Sequence, residues 1–337
     1  MPNWSEILKE LEDCKRVDAL DYVRRQYLAK ASEITGRNTI AYYSGFLQKI
    51  DNSHLSINDN DKNGFMAVIH KMDRSKGLDL ILHTPGGDLA AAESIVDYLK
   101  TMFGHEIRAI VPQIAMSAGT MIACSCSTII MGKQSNLGPI DPQFRGIPAS
   151  GVLEEFKRAM EEVKADPKKI PVWQAIIGKY HPTFIGECEK AVKWSEQIVT
   201  QWLIENMLKA EDNKDEKAAS IVAALSDHGE MMSHARHIST ANCLRLGLKI
   251  EQLEDIQKEQ SFQDCILSIH HAFMHTFANS NAVKIIENQN GVAMVQNAQI
   301  KMPIMQDAQS IQIPIPMPQN PPIQIPIPIP PVQPPTK

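Results

Sequence analysis

The sequence predicts an α/β protein built on a parallel sheet, and two short segments carry most of that prediction. Residues 83–88 read His-Thr-Pro-Gly-Gly-Asp and residues 115–120 read Ala-Met-Ser-Ala-Gly-Thr. Each segment follows an apolar run, which between turn residues is typical of a buried strand, and each precedes a helical pattern. Successive strand–turn–helix units favour parallel strands joined by right-handed crossovers.

Further strands and helices continue this alternation along the chain. Short apolar runs predict strands at 39–43, 78–83, 107–111 and 128–131. Apolar residues at helical spacing predict helices at 3–35, 65–72, 89–103, 151–165, 186–209, 216–228, 234–247 and 261–278. Asp88 is the expected N-cap of the helix after the diglycine segment. A helix of small residues is expected directly after Ser117, and residues 51–63 are expected to form a polar loop.

Composition and charge narrow the class of protein. The chain has 337 residues, of which 43% are hydrophobic and 22% charged, and its formal net charge is -5 at pH 7. These values are typical of a globular protein and give no overall basic field, so we expect no nucleic-acid partner. The N-terminal residues lack the apolar core of a signal peptide, and no later run is long enough to cross a bilayer. We therefore expect a cytoplasmic protein without a transmembrane segment, and peripheral membrane association stays open.

The cysteines and the C-terminal residues give two further expectations. The six cysteines contain no CxxC pair, which predicts reduced, mostly buried thiols and no zinc site. Residues 301–337 hold more than half of the 21 prolines, alternating with Ile, Gln and Met. Such a segment favours extended polyproline II over a helix or a central strand. We predict a helical segment at 1–35, a folded domain at 36–290 and a flexible, disordered tail at 291–337.

The two opening segments also contain the residue types that acyl transfer needs. Gly86 and Gly87 can turn bare backbone N–H groups towards a ligand. Ser117, at a strand-to-helix elbow, can present its hydroxyl to the same point. A serine nucleophile needs a base for its proton and donors for the oxyanion, and the N–H groups of Gly86 or Gly87 and of Ala118 are the expected donors. Either motif alone could be only a tight turn or a helix cap, but both on adjacent units predict a nucleophile facing an oxyanion hole.

Several motifs resemble one known group of enzymes. HTPGG and MSAG are similar to the glycine turn and the nucleophile elbow of the Clp-protease/crotonase superfamily. Within it the chain is most similar to signal-peptide-peptidase-A-like serine peptidases. Among these it most resembles the serine dehydrogenase proteinases, through LILHTPGG, AMSAGT, LGPIDPQ, GKYHP and KIIEN. The resemblance covers roughly residues 35–290.

The resemblance implies both a fold and a function. It implies a ββα superhelix, a Ser117 nucleophile and an oxyanion hole around Gly87 and Ala118. It also implies peptide or protein substrates, a homo-oligomer and no cofactor. The residues themselves agree on the last point, because no GxGxxG follows any predicted strand to bind a dinucleotide.

The general base is the least determined part of the predicted site. In the signal-peptide-peptidase-A group a lysine in a GxYK context serves as base, and residues 178–181 are similar to it, with His181 at the lysine position. An imidazole titrates near neutral pH, so a Ser117–His181 pair is the first candidate. Alternatively, His181 simply begins a loop, and Lys179 is a second candidate base. Asp141 could orient a partner, bind substrate backbone or cap a turn.

Two other functions stay open beside the leading one. In a crotonase-like enzyme acting on a coenzyme A thioester, the same cradle would hold an enolate oxygen and Ser117 would be incidental. In a non-catalytic scaffold of the same fold, the proline-rich tail would do the binding. His271 and His275 have the i, i+4 spacing of metal ligands, but Ala272 replaces the glutamate of a zincin motif, so we expect no metal. The leading hypothesis is a serine peptidase that forms an acyl-enzyme on Ser117.

Overall fold

A largely parallel sheet forms the centre of this computed structural model, which describes residues 4–49, 54–144, 146–226, 236–256 and 261–298. The strands are β1 (Asn38–Ser44), β2 (Leu78–His83), β3 (Ile107–Val111), β4 (Ile114–Ala115), β5 (Thr128–Met131), β6 (Asn136–Leu137), β7 (Gln143–Phe144), β8 (Ile147–Pro148), β9 (Ile238–Ser239), β10 (Ile250–Gln252), β11 (Ala282–Asn288) and β12 (Ala293–Asn297). The α-helices are α1 (Trp4–Asp13), α2 (Ala19–Thr35), α3 (Asn60–Ile69), α4 (Leu89–Phe103), α5 (Ala118–Cys124), α6 (Ala149–Ala165), α7 (Ile170–Ile177), α8 (Phe184–Trp202), α9 (Lys214–Ser226), α10 (Thr240–Arg245) and α11 (Ser261–Asn279).

The main sheet has seven strands in the order β10-β5-β3-β2-β1-β11-β12. The strands from β10 to β1 run parallel to one another, whereas β11 is antiparallel to β1 and β12 is antiparallel to β11. Because parallel neighbours share one direction, the carboxyl ends of β2 and β3 lie at the same edge of the sheet. The predicted α/β class with a parallel sheet is therefore confirmed, and all four predicted strands are present.

Both faces of the sheet are buried at its central strands, because these strands alternate their side chains between two layers of helices. In β1, Ile40 and Tyr42 join the core that includes α3, α4 and α5. Ala41 and Tyr43 join the core that includes α2 and α11. Every residue of β1 and β2 is buried, which explains the apolar runs by which the sequence predicts these strands.

The helix after the diglycine segment begins as the sequence predicts. The Asp88 side chain accepts a hydrogen bond from the Ala91 N–H over 2.8 Å, as an N-cap should. The apolar residues along α4 face the core, among them Ile95, Val96 and Leu99. The start of α4 is therefore fixed directly after the two glycines.

The single helix predicted at 3–35 is wrong, because the structure has two helices there, α1 and α2. Ile7 of α1 and Val23 of α2 belong to one small buried cluster with Ala272 of α11. In one straight helix these two side chains would be about 24 Å apart and could not share so small a cluster. The break between the helices is thus set by a contact with a distant part of the chain.

Three other predicted helices differ in extent. In the described part of 234–247 only α10 is helical, because Ile238–Ser239 pairs with β6 as β9. The helix predicted at 186–209 is α8, which passes into a π-helical turn over Leu203–Met207. The helix predicted at 65–72 begins earlier, at Asn60, and ends at Ile69 as α3.

The sheet continues past residue 290, the predicted end of the folded domain. β12 pairs with β11, so residues assigned by sequence to the tail belong to the sheet. A compact unit extends to Ala298, and the proline-rich segment at 301–337 lies outside the described residues. No helix in the described ranges combines the length and the apolar content that crossing a membrane requires.

Candidate active site

Ser117 occupies a strained turn between β4 and α5. Its backbone has φ 51° and ψ -118°, a conformation uncommon for a residue with a side chain. Such strain persists only when the surroundings hold it, and here every residue of α5 is buried behind the turn. Ser117 itself is partly exposed. This is the geometry of a nucleophile elbow, which presents a serine hydroxyl at the edge of a sheet.

The diglycine bend lies against this turn because main-chain hydrogen bonds join the residues after β2 to β4. The Thr84 N–H donates to the Ile114 carbonyl over 3.2 Å, and the Met116 N–H donates to the Thr84 carbonyl over 3.0 Å. Gly86 has φ 94°, and a Cβ placed on it would be 2.7 Å from both the Met116 carbonyl oxygen and the Ser117 Cβ. Only glycine fits this position, and the two motifs are in direct contact.

A short segment before α3 fixes the orientation of Gly87. The Ile57 N–H donates to the Gly86 carbonyl over 2.8 Å, and the Asp88 N–H donates to the Ile57 carbonyl over 3.0 Å. These bonds make a parallel bridge between Ile57 and Gly87. A Cβ on Gly87 would lie 2.3 Å from the Ile57 nitrogen, so the two backbones are as close as glycine allows. In such a bridge the bridged residue directs its own N–H away from the partner, here to the side opposite Ile57.

Two main-chain donors beside Ser117 are available to a ligand. Within the described residues, neither the Gly87 N–H nor the Ala118 N–H donates a hydrogen bond to the protein. The Gly86 N–H, by contrast, donates to the Thr84 hydroxyl over 3.2 Å, so Gly87 is the available donor of the pair. Unpaired N–H groups that flank a serine hydroxyl are the arrangement an oxyanion hole requires.

Ser117 opens onto a cleft of about 840 Å³ with mostly apolar walls. The larger apolar side chains that line it are Phe46, Ile57, Leu89, Met116, Met121, Ile140, Phe144 and Trp194. The polar ones are Ser56, Asp88, Ser117, Gln143 and Ser195. Asp88 is the only titratable group among the described lining residues, and its carboxylate is engaged as the cap of α4. The cleft therefore suits an apolar ligand whose reactive group lies at Ser117.

The predicted bases lie outside this cleft. His181 and Lys179 are exposed between α7 and α8, and neither lines the cleft. The His181 Nδ1 is 3.1 Å from the Thr183 hydroxyl oxygen. Their segment borders the cleft, however, because Phe184 packs edge-on against Phe144 of the cleft wall with ring centroids 5.4 Å apart. The role of either residue as a base stays a prediction.

Asp141 lies behind the cleft wall and is 4% exposed. Its Oδ1 accepts a hydrogen bond over 3.3 Å from the Ser150 N–H in the first turn of α6. Its Oδ2 has no partner among the residues that the structure describes. Burial raises the pKa of Glu196 on α8, and the nearby Asp141 carboxylate adds to that rise. Of the roles open to Asp141, capping is the one that these contacts match.

His83 ends β2 close to the diglycine bend and is fully buried. The rings of Tyr43, Phe46 and His270 surround it, with centroids 5.4, 4.9 and 5.2 Å away. In the described part of the chain neither of its ring nitrogens has a hydrogen-bond partner. Burial lowers the pKa of His83 to about 3, so the ring is neutral at physiological pH. His83 does not line the cleft, which leaves it without access to the Ser117 proton.

Sequence reasoning missed two residues that shape the site. Ile57 belongs to a stretch predicted as a polar loop. The one indication in the sequence that it is buried is its apolar side chain between two polar neighbours. Trp194 is 39% exposed on α8 and lines the cleft. Helical spacing marks such a residue as apolar but does not tell a cleft wall from a core.

The histidines with metal-ligand spacing serve packing. His271 and His275 lie against the Trp4 ring, with centroid distances of 6.2 and 3.8 Å. The His275 Nε2 is also 3.0 Å from the Trp4 carbonyl oxygen. Across the described ranges, no group of three or more His, Cys, Asp or Glu side chains could hold a metal ion.

Comparison with known proteins relates the chain to one described family and to two curated proteins. Residues 45–260 match the family described as ClpP-like SDH-type serine proteinase. The uncharacterized protein MJ0137 of Methanocaldococcus jannaschii is 34% identical over 161 residues, covering 48% of this chain and 49% of the relative. The uncharacterized protein MJ1495 of the same organism is 29% identical over 192 residues, covering 56% of this chain and 57% of the relative. The chain thus spans about half the length of these curated relatives. Because the family match takes in more than half of the chain and includes both the diglycine bend and the Ser117 elbow, the chain belongs to the ClpP-like SDH-type serine proteinases.

Proposed function

We propose that this protein hydrolyses peptide bonds through an acyl-enzyme on Ser117. The Ser117 Oγ attacks the substrate carbonyl carbon while a base takes its proton, and the carbonyl oxygen becomes an oxyanion that accepts hydrogen bonds from Gly87 and Ala118. The base then returns the proton to the leaving amine as the carbon–nitrogen bond breaks. Water hydrolyses the resulting ester by the same steps in a second cycle.

One observation carries this proposal above the others. The diglycine bend touches the Ser117 turn so closely that no Cβ fits on Gly86. The Gly87 and Ala118 N–H groups, which have no acceptor among the described residues, line the same cleft as Ser117. A serine that only capped a helix would not need two free main-chain donors beside it. Donors fixed in place before reaction stabilise the oxyanion without reorganisation, which is the largest contribution in many acyl transfers.

The lining of the cleft supports apolar peptide segments as substrates. Its larger side chains are apolar, and the one described titratable group, Asp88, is already paired with a main-chain N–H. A charged substrate side chain would lose its hydration there without gaining a partner of opposite charge. Burial of an apolar side chain against Trp194 and Phe144 would contribute about 25 cal/mol per Å² of apolar surface.

His181 is the base in this proposal, with Lys179 as its alternative. Histidine is the side chain that most often serves as a general base, and His181 is exposed between α7 and α8. Because His181 does not line the cleft of its own chain, the ring reaches Ser117 through movement of its loop or from a second copy in a homo-oligomer. Mixing Ser117→Ala chains with His181→Ala chains separates the two routes. Activity returns on mixing only if the ring acts on a neighbouring chain.

The experiment that tests the proposal compares two serine variants. A fluorophosphonate probe should label the wild-type protein, and labelling and peptidase activity should both vanish in Ser117→Ala. Ser125→Ala is the matched control, because its hydroxyl is buried at the end of the same helix, donates to the Ile122 carbonyl over 2.7 Å and lies outside the cleft. Equal labelling of Ser117→Ala and wild type would remove the acyl-enzyme proposal.

A further inference from the structure

A buried ion pair lies behind the segment that orients Gly87. Lys284 of β11 and Asp61 of α3 are both fully buried, and the Lys284 Nζ is 2.9 Å from the Asp61 carboxylate. The Tyr42 hydroxyl of β1 donates to the same carboxylate over 2.8 Å. Taking two charges out of water is costly, and a well-packed apolar pair often stabilises a core as well or better. We therefore expect this ion pair to make hydrogen bonds that apolar side chains could not make.

Such hydrogen bonds are present on either side of Ile57. The Lys284 Nζ donates to the Ser56 carbonyl over 2.7 Å. The Asn58 N–H donates to the Asp61 Oδ2 over 3.0 Å. The residues just before and just after Ile57 are thus each held by one member of the ion pair. No apolar side chain could accept the second bond or donate the first.

The main chain of Ile57 connects these hydrogen bonds of the ion pair to Gly87, the proposed oxyanion donor. Its N–H and carbonyl bond to Gly86 and Asp88, one on each side of Gly87. Its backbone also approaches Gly87 as closely as a residue without Cβ permits. The direction of the Gly87 N–H therefore depends on where Ile57 stands, and the ion pair determines where Ile57 stands.

We propose that Lys284 and Asp61 are positioning residues for the oxyanion donor Gly87 and act on it through Ile57. The inference rests on the proposed function, because it assigns the pair a role in stabilising the transition state on Ser117. Neither side chain lines the cleft, so neither contacts the substrate. The pair differs from a purely structural ion pair because both of its members hydrogen-bond to the residues on either side of Ile57.

The same strand offers a matched control. Glu287 of β11 forms a second fully buried ion pair with Arg24 of α2, with Nε and Oε2 2.9 Å apart. Glu287 lies three positions beyond Lys284, so it points to the opposite face of the sheet. Glu287 accepts hydrogen bonds from Arg24 and Arg25 of α2, and Arg24 also donates to Thr276 of α11, so the contacts of this pair lie away from Ile57. Replacing either ion pair removes two buried charges. Only the replacement of Lys284 and Asp61 also removes the hydrogen bonds that hold the residues on either side of Ile57.

The test compares Lys284→Met/Asp61→Leu with Arg24→Met/Glu287→Leu. Both are assayed for the rate of fluorophosphonate labelling at Ser117, for kcat and KM on an apolar peptide, and for urea unfolding. The first variant should lose at least about tenfold in labelling rate and kcat, less than the about 10²–10³-fold lost when an oxyanion donor is removed outright. KM should change less than kcat. The second variant should keep its labelling rate and kcat within about twofold of wild type. Its urea midpoint of unfolding should be similar to that of the first variant.

A milder variant guards against a folding defect. Lys284→Met/Asp61→Asn keeps an amide oxygen that can accept from the Asn58 N–H, so its labelling rate should lie between wild type and Lys284→Met/Asp61→Leu. If the leucine variant does not fold, the asparagine variant is compared with Arg24→Met/Glu287→Gln instead. Equal labelling rates in the two ion-pair variants would overturn the inference while Ser117 still reacts in wild type. Absence of wild-type labelling would overturn the proposed function itself, and this inference with it.

Discussion

Replacing Gly86 by alanine tests the contact between the diglycine bend and the Ser117 turn. The new methyl would lie 2.7 Å from the Met116 carbonyl oxygen and 2.7 Å from the Ser117 Cβ, at a backbone φ of 94°. Alanine in the left-handed region costs about 1–2 kcal/mol, and overpacking adds about 1–3 kcal/mol. The crowded atoms belong to the turn that carries the proposed nucleophile, so relief of the clash must move Ser117 or the adjacent N–H groups. Displacing one oxyanion donor lowers kcat by about 10²–10³-fold, or about 2.7–4 kcal/mol.

Gly104→Ala is the matched control for this substitution. Gly104 directly follows α4 with φ 61°, and a Cβ there meets nothing within 4 Å. Alanine at this positive φ also strains the backbone, but it does not touch the site. We expect Gly86→Ala to lose at least about 100-fold in kcat/KM and in labelling rate, whereas Gly104→Ala keeps both and only unfolds at lower urea. Wild-type labelling of Gly86→Ala, or an equal loss in Gly104→Ala, would show that this contact does not hold Ser117 and the neighbouring N–H groups in place.

Three further predictions concern the base, the buried histidine and the cleft wall. His181→Ala should slow fluorophosphonate labelling by about 10²–10⁴-fold with Lys179→Ala near wild type, and the reverse ranking would make the lysine the base. The pKa of His83 falls from 6.5 to about 3 on burial, so the unfolded chain binds a proton there that the folded chain does not. Stability should therefore decrease as the pH falls from 6.5 towards 3, by about 1.4 kcal/mol per pH unit for this group. In His83→Phe, urea midpoints at pH 7 and pH 4.5 should lie closer together than in wild type. Trp194→Ala should raise KM for peptides with a bulky apolar residue more than for alanine peptides, and an equal rise for both would place Trp194 outside the binding site.

The parts of the fold that the sequence predicts are those set by local pattern. Leu78–His83 reads as a buried strand because both its faces are covered, and Asp88 reads as a cap because its role involves only the next few residues. The elbow at Ser117 is recognisable for the same reason, since glycine and small residues are needed within a few positions of it.

The parts that the sequence does not predict depend on contacts between distant segments. The bridge between Ile57 and Gly87 joins a loop to a turn, and no period or motif marks their pairing. The break between α1 and α2 lets both helices share one buried cluster with Ala272, far along the chain. The sequence marks Lys284 only as the first residue of the KIIEN motif, and its buried contact with Asp61 appears only in the structure.

The candidate site also has a part that the sequence predicts and a part that it does not. Two adjacent strand–turn–helix units place four of its residues at one edge of the sheet: Gly86, Gly87, Ser117 and Ala118. The base does not follow from such a rule, because His181 lies outside these two units, between α7 and α8, and is exposed. Its motif therefore gives a candidate but no geometry.

A crystal structure of the fluorophosphonate adduct would show whether Ser117 reacts and whether Gly87 and Ala118 form the oxyanion hole. We expect a single covalent bond to the Ser117 Oγ, with one phosphoryl oxygen within about 3 Å of both the Gly87 and the Ala118 nitrogens. An adduct on another residue, or a phosphoryl oxygen directed away from these two N–H groups, would contradict this expectation.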